Sequence, residues 1–295
     1  MVQVRKVPTC CRLQDEKQLN GSEPSVAPDT PSSPPEPAAE LGLRADFIMA
    51  LRFFSRLPSG DSPHQKPDLN RIAMALPLAG VAIGIGPALL LVLGTMAGLP
   101  PYFAAALAVG AMVLAGGAMA EDALADAADG LFGGQSRARR LEIMKDSRHG
   151  SYGVAALCLF LMLRVAALGA MAAASPLAAG AAWLAASVIA RSGALWLSMV
   201  LPPARSDGAA AAAGTLKRSA FAVGAVFALV LGFVLGGPAA SLAGLGLGLL
   251  LSGATIGLWT ALCRRLVGGQ TGDLTGALGA LVEVAMLTGL VAFAA

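Results

Sequence analysis

The pattern of connections between apolar stretches constrains this chain more than any single motif. Seven such stretches can be cut out at about 72–98, 101–120, 152–174, 177–200, 219–236, 239–263 and 276–295, each near the roughly 20 residues that a helix needs to cross a hydrocarbon layer. The segments joining them are of two kinds. Those at 98–101, 174–177 and 236–238 are short, rich in Gly, Pro and Ser, and uncharged. Those at 55–71, 121–150, 204–218 and 264–275 are longer and hold three, five, three and two of the chain's 21 Lys and Arg. The two kinds alternate, so every charged connection falls on one side of a membrane, and the positive charge makes that side cytoplasmic. An error of one span would break the alternation. The expected fold is all-α, a polytopic membrane bundle of about seven spans with its C-terminus outside.

Composition agrees. With 56% hydrophobic and 13% charged residues, the chain is too apolar for a water-soluble domain of its size, and 36 glycines suit helices that pack closely in lipid. Cys10, Cys11, Cys158 and Cys263 show no framework spacing, and His64 and His149 are the two histidines. A bound metal is therefore expected to be a hard, oxygen-seeking ion. Residues 1–43 are polar and Pro-rich, with too few apolar side chains for a core, and are expected to form a disordered tail without a removable signal segment. Residues 44–295 form the membrane-embedded domain. At its start, Phe47, Ile48, Leu51 and Phe54 recur at helical spacing with Asp46, Arg52 and Arg56 on other faces. That pattern predicts a short amphipathic helix at the membrane surface, the plainer alternative being a buried turn of helix.

The chemistry-bearing residues crowd the charged side. In Glu121-Asp122-Ala123-Leu124-Ala125-Asp126-Ala127-Ala128-Asp129-Gly130, a helix advancing about 100° per residue brings Asp122, Asp126 and Asp129 within about 60° of one another. Three carboxylates on one face repel, and a divalent cation turns that repulsion into ligation. The plainer reading is a solvated acidic helix end. Farther on, Arg137, Arg139 and Arg140 precede Leu141-Glu142-Ile143-Met144-Lys145-Asp146-Ser147-Arg148-His149-Gly150. Guanidinium groups pair with phosphate bidentately and lysine supplies a point charge, so Lys145, Asp146 and Arg148 are candidate site residues, while Arg137 and Arg139 suit orientation of the loop. Between the last two spans lies Gly268-Gly269-Gln270-Thr271-Gly272-Asp273. Its glycines permit close approach of backbone amides to phosphate, and Thr271 and Asp273 can bind hydroxyls or metal. Arg164, Arg191 and Glu283 sit inside apolar spans, where ionised groups are costly and face the bundle interior. Mutual pairing would explain them structurally; Arg191 is the one favoured as a contact to substrate phosphate.

These segments, in this order, resemble the cobalamin synthase family, the adenosylcobinamide-GDP ribazoletransferases. The similarity runs from Phe53-Phe54-Ser55-Arg56-Leu57-Pro58 through the aspartate and Lys145-Asp146-Ser147-Arg148 segments to the terminal glycine loop. The resemblance implies a multi-pass enzyme of the cell inner membrane with its active site on the cytoplasmic side. It would join adenosylcobinamide-GDP to α-ribazole or its 5′-phosphate, release GMP and require Mg2+. It implies the lipid bilayer as partner, no nucleic acid, and room for a complex with other cobalamin-assembly enzymes. On this reading Asp122, Asp126 and Asp129 hold magnesium on the pyrophosphate, and Lys145, Arg148 and Arg191 offset developing charge. Asp146 or Glu142 takes the proton, and Arg205, Gln270, Thr271, Asp273 and Glu283 contact substrate. The chain departs from the family pattern at Ala123, where glycine is usual, at Ala120, where histidine is common, and at Ala280, where a glutamate is expected.

Two other readings compete. Alcohol phosphatidyltransferases also place aspartates at helical spacing, but their pattern continues with Ala-Arg and further aspartates, whereas here Asp129-Gly130 is followed by Leu131-Phe132-Gly133-Gly134. A transporter would need charges lining both halves of the membrane, and the outer connections are bare.

Overall fold

Long apolar runs can satisfy their backbone groups in lipid only as helices or closed barrels, and in this chain they are all helices. The computed structural model describes residues 42–60, 67–146, 148–205, 214–237 and 241–293. The tail expected over 1–43 lies almost wholly outside the described residues. The elements are α1 (Leu43–Phe54), α2 (Leu69–Met96), α3 (Pro101–Gly116), α4 (Met119–Gly133), α5 (Arg137–Ile143), α6 (Ser151–Ala174), α7 (Pro176–Ala194), α8 (Trp196–Val200), α9 (Arg218–Gly236), α10 (Leu242–Leu266) and α11 (Gly272–Val291). Among the described residues there is no strand, and one isolated bridge joins Pro203 to Gln270. Helices α2, α6, α7 with α8, α9, α10 and α11 are each long and apolar enough to cross a membrane. Counted as one broken span, α3 and α4 make the seventh. The protein is a multi-pass membrane protein.

Helix α7 is central, packed against α2, α6, α9 and α11. Its Trp183 is fully enclosed together with Leu168 of α6 and Met286 of α11. The outer helices expose Met162, Leu163, Val230, Leu250 and Leu258, an apolar surface that only lipid can cover without cost. The short helix expected near residue 44 is α1. It buries Ala45, Met49, Ala50 and Leu51 alongside α2, and Asp46 Oδ1 pairs with Arg71 Nε at 2.6 Å.

The feature that positions the site is the break between α3 and α4. Gly117 and Ala118 both take left-handed backbone angles, with φ of 62° and 56°. The amides of Gly117 and Ala118 close α3 onto Leu114 and Val113, and the chain then turns by 87°. Glycine adopts this conformation freely, whereas at Ala118 it costs about 1–2 kcal/mol. The turn is held from outside, because the Arg56 amide donates to Ala115 O at 2.9 Å and the Arg56 side chain lies where a β-carbon on residue 117 would sit. The segment 121–150, expected as a charged connection, is therefore largely helical, as α4 and α5.

Glycines also set how closely α10 and α11 approach. A β-carbon on Gly289 would run into the backbone of Gly248, whereas one on Gly253 would meet nothing. Gly289→Val is expected to cost about 1–3 kcal/mol by overpacking and Gly253→Ala to leave stability unchanged or slightly raised. Thermal unfolding in detergent checks both, and equal midpoints would show that the two helices can separate freely.

Candidate active site

After the break, α4 presents two faces. Glu121 turns inward and is buried, while Asp122 is exposed and Asp126, one turn on, is partly so. Ligand atoms of Asp122, Asp126 and His149 lie within 4.8 Å of one another, and His149 Nδ1 is 3.8 Å from Asp126 Oδ1. Two carboxylates at i and i+4 repel when nothing separates them. Hard oxygen donors at this spacing, with one imidazole, fit a divalent cation that keeps positions open for phosphate oxygens or water.

The third aspartate goes elsewhere. Asp129 is buried; its Oδ2 accepts from the Gly150 amide at 2.6 Å and its Oδ1 from the Gly153 amide at 2.9 Å. The first residues of α6 have no side-chain cap of their own, and a carboxylate there satisfies orphan amides and meets the positive end of the helix. The expectation that all three aspartates share one metal site is thus corrected. The angular coincidence on α4 is real, but the start of α6 claims the third carboxylate.

Lys145, Asp146 and Arg148 lie outside the cavity described below. Asp146 accepts from the Arg148 amide at 3.1 Å, from its Nε at 3.0 Å and from its Nη2 at 2.7 Å. The Arg148 side chain and amide hold the Asp146 carboxyl down at about 2. Glu142 Oε2 pairs with Arg139 Nη1 at 2.9 Å on the exposed surface of α5. A carboxylate so engaged and so weakly basic is a poor proton acceptor near neutrality, which removes Asp146 from the role of base expected of it and leaves Glu142 tied to its own arginine. Lys145 is exposed on the same turn. Arg140 is structural: it donates to Leu131 O and Leu266 O, both at 3.2 Å, tying α5 to α4 and to the end of α10.

In the glycine loop the backbone is spent on the fold rather than offered to a ligand. The Gln270 amide donates to Pro202 O at 2.9 Å, and Gln270 O accepts from the Ala204 amide at 2.8 Å. Gly269 permits this because a β-carbon there would meet Pro202 O and Ala204. Thr271 Oγ1 caps α11 by accepting from the Leu274 amide at 3.2 Å. It also donates to Asp273 Oδ2, which takes a second bond from Arg205 Nη2 at 3.2 Å.

Deeper in the bundle, Arg164 is 2% exposed. Its Nη1 meets Glu121 Oε1 at 3.2 Å and its Nε meets Glu283 Oε1 at 3.1 Å. Trp183 Nε1 donates to the same Glu283 oxygen at 2.9 Å, and the guanidinium lies 4.9 Å from the Phe160 ring centre. Arg191 donates to Ser187 O at 3.3 Å and to Met112 Sδ at 3.5 Å.

A cavity of about 370 Å3 joins these parts, with Asp122, Arg191, Gln270, Asp273 and Thr275 among its walls. The structure thus brings Asp122, Arg191, Gln270 and Asp273 to one space, with Asp126 beside Asp122. It leaves Asp129, Glu142, Lys145, Asp146 and Arg148 outside that wall. Sequence reading missed His149, Glu121 and Trp183. The signals available were the position of His149 just before the first turn of α6 and of Glu121 about 100° round α4 from Asp122.

A helical membrane protein with paired aspartates at the mouth of an internal cavity belongs, as a class, with enzymes that handle phosphate-linked substrates at a bilayer. The chain belongs to the cobalamin-5-phosphate synthase family, whose model matches residues 46–291. It is 48% identical to the adenosylcobinamide-GDP ribazoletransferase of Azorhizobium caulinodans over 85% of this chain and 97% of that one. It is 44% identical to the enzyme of the same name from Xanthobacter autotrophicus, again over 85% and 97%. With that of Bradyrhizobium diazoefficiens it shares 43% over 84% and 94%. No solved structure matches the chain.

Asp129→Ala removes the acceptor of two amides and is expected to cost about 1–3 kcal/mol of stability, read as a lower thermal midpoint, whereas Asp126→Asn, which relieves repulsion, should not lower it. An unchanged midpoint for Asp129→Ala would end the capping role. Arg164→Met strands two buried glutamates and is expected to cost about 3–5 kcal/mol, measured the same way.

Proposed function

We propose that the protein is a magnesium-dependent transferase joining adenosylcobinamide-GDP to α-ribazole or its 5′-phosphate, yielding adenosylcobalamin or its 5′-phosphate and GMP, at the cytoplasmic face of the inner membrane. The observation that carries this reading is the convergence of Asp122, Asp126 and His149 beside a cavity that also takes in Asp273. The names of its relatives supply the substrates. The cytoplasmic assignment rests on the positive charge of the connections that carry the site.

Asp122 and Asp126, with His149 alongside, are the residues that would hold magnesium; bound there, it would neutralise the diphosphate and the departing GMP. Asp129 does its part at one remove, by fixing the start of α6 and hence the position of His149, one residue before Gly150. In the transfer, a ribazole hydroxyl oxygen forms a bond to the phosphorus that carries cobinamide. The bond from that phosphorus to the bridging oxygen breaks, and GMP leaves with the electron pair. The hydroxyl proton passes to water, since His149 is counted with the magnesium site and Glu142 and Asp146 are already held by arginines. Arg205 keeps Asp273 turned toward the cavity, where its carboxylate can accept from a ribose hydroxyl.

With the purified protein in lipid vesicles, GMP release from adenosylcobinamide-GDP and α-ribazole should depend on magnesium and be abolished by chelator. Asp122→Asn and Asp126→Asn should each slow turnover by roughly a hundredfold or more while the thermal midpoint holds. Near-normal rates in either variant would take that residue out of the site.

A further inference from the structure

The cavity has a composition that the transfer chemistry alone does not require. Phe53, Phe54, Leu69, Met112, Phe160 and Leu195 supply apolar wall. Against it stand a few polar atoms left without partners. Gln270 is 2% exposed, and its Oε1 and the Thr275 Oγ1 find no hydrogen bond among the described residues. Buried polar groups are ordinarily satisfied, so these two await something that enters the cavity. Arg191 is the third. Among the described residues its guanidinium meets one carbonyl and one thioether and no carboxylate within ion-pair distance, which leaves spare donors facing the space.

Charge decides against a phosphate here. Glu121, Asp122, Asp273 and Glu283 line the cavity against Arg164 and Arg191. Acidic side chains outnumber basic ones, so the space draws no anion inward, and the anionic groups belong at the cation site beside Asp122. Size decides against the corrinoid, whose macrocycle and amide side chains are several times larger than a bicyclic nucleoside and cannot enter a space of about 370 Å3. Guanine O6 and N7 could also accept from Arg191, so the KM for the GDP-linked donor is what separates that occupant from the acceptor's base.

We propose that this cavity is the subsite for the acceptor's base, taking an apolar bicyclic heteroaromatic head whose single lone-pair ring nitrogen accepts a hydrogen bond from Arg191, with Gln270 and Thr275 meeting the ribose. The dimethylbenzimidazole head of α-ribazole has this character: two methyl groups, no donor, and one free ring nitrogen. The proposal rests on the transferase reading for the identity of its ligand. It gives a place to Phe53 and Phe54, which the chemistry at the aspartates does not use. It also moves Arg191 from the phosphate contact expected from sequence to a base contact.

The test uses the full chain in lipid vesicles, with α-ribazole and the indole analogue in which C–H replaces the free ring nitrogen, measuring equilibrium binding and, with adenosylcobinamide-GDP, the KM for each substrate. The wild type should bind α-ribazole about tenfold more tightly than the indole analogue, the worth of one charge-assisted hydrogen bond. Arg191→Met should erase that preference while the KM for adenosylcobinamide-GDP is unchanged. Phe54→Ala, on a different wall, should raise the KM for α-ribazole more than that for its analogue without methyl groups. Equal binding of the two heads by the wild type, or a raised donor KM with an unchanged acceptor KM in Arg191→Met, would overturn the proposal. If the wild type discriminates the two heads but releases no GMP, the subsite stands and the transferase reading falls.

Discussion

An ionised arginine enclosed in an apolar bundle must bring its own compensation, and Arg164 does so from two directions. It lies on α6, takes Glu121 from α4 and Glu283 from α11, and rests on the ring of Phe160. Each of these charges alone would cost several kcal/mol to bury; together they fasten the short, off-axis α4 to two long spans. The orientation of α4 follows from this attachment. With Glu121 drawn inward, Asp122 one residue later is turned about 100° round the helix, where it is exposed at the cavity wall. Leu124 and Leu131, buried on the same helix, fix its apolar side, and the buried charges add to that specificity.

Much of this architecture was legible in the chain itself. Runs of about 20 apolar residues separated by alternating bare and basic connections located the spans, because lipid leaves the backbone so few ways to be satisfied. What hydropathy cannot see is direction. Gly116-Gly117-Ala118 reads as small-residue packing inside an apolar run, and nothing local announces that residues 117 and 118 turn left-handed and deflect the helix by 87°. The reason lies sixty residues upstream, where Arg56 occupies the space beside Gly117.

The site divides the same way. Helical spacing placed Asp122 beside Asp126, and the position of both glycine loop and aspartates on one side of the membrane anticipated a common space for Asp122 and Asp273. Spacing could not foresee that Asp129, on the same face, would be taken by the uncapped start of α6, because that competitor is defined only once α6 packs on α4. Nor could it separate arginines that hold carboxylates, such as Arg139, Arg148, Arg164 and Arg205, from Arg191, which holds none among the described residues. Fields and partners are properties of the assembled bundle.

The broken span bears on how the protein is made. Glu121 leaves the ribosome 43 residues ahead of Arg164, and Glu283 follows 119 residues after Arg164, so α4 has no counter-ion until α6 is made and the buried group is incomplete until α11 is. Its resting place must wait until α6 and then α11 have been threaded. Assembly of the catalytic end therefore waits on α11, and a chain halted before that helix would carry its earlier spans without an organised reaction centre.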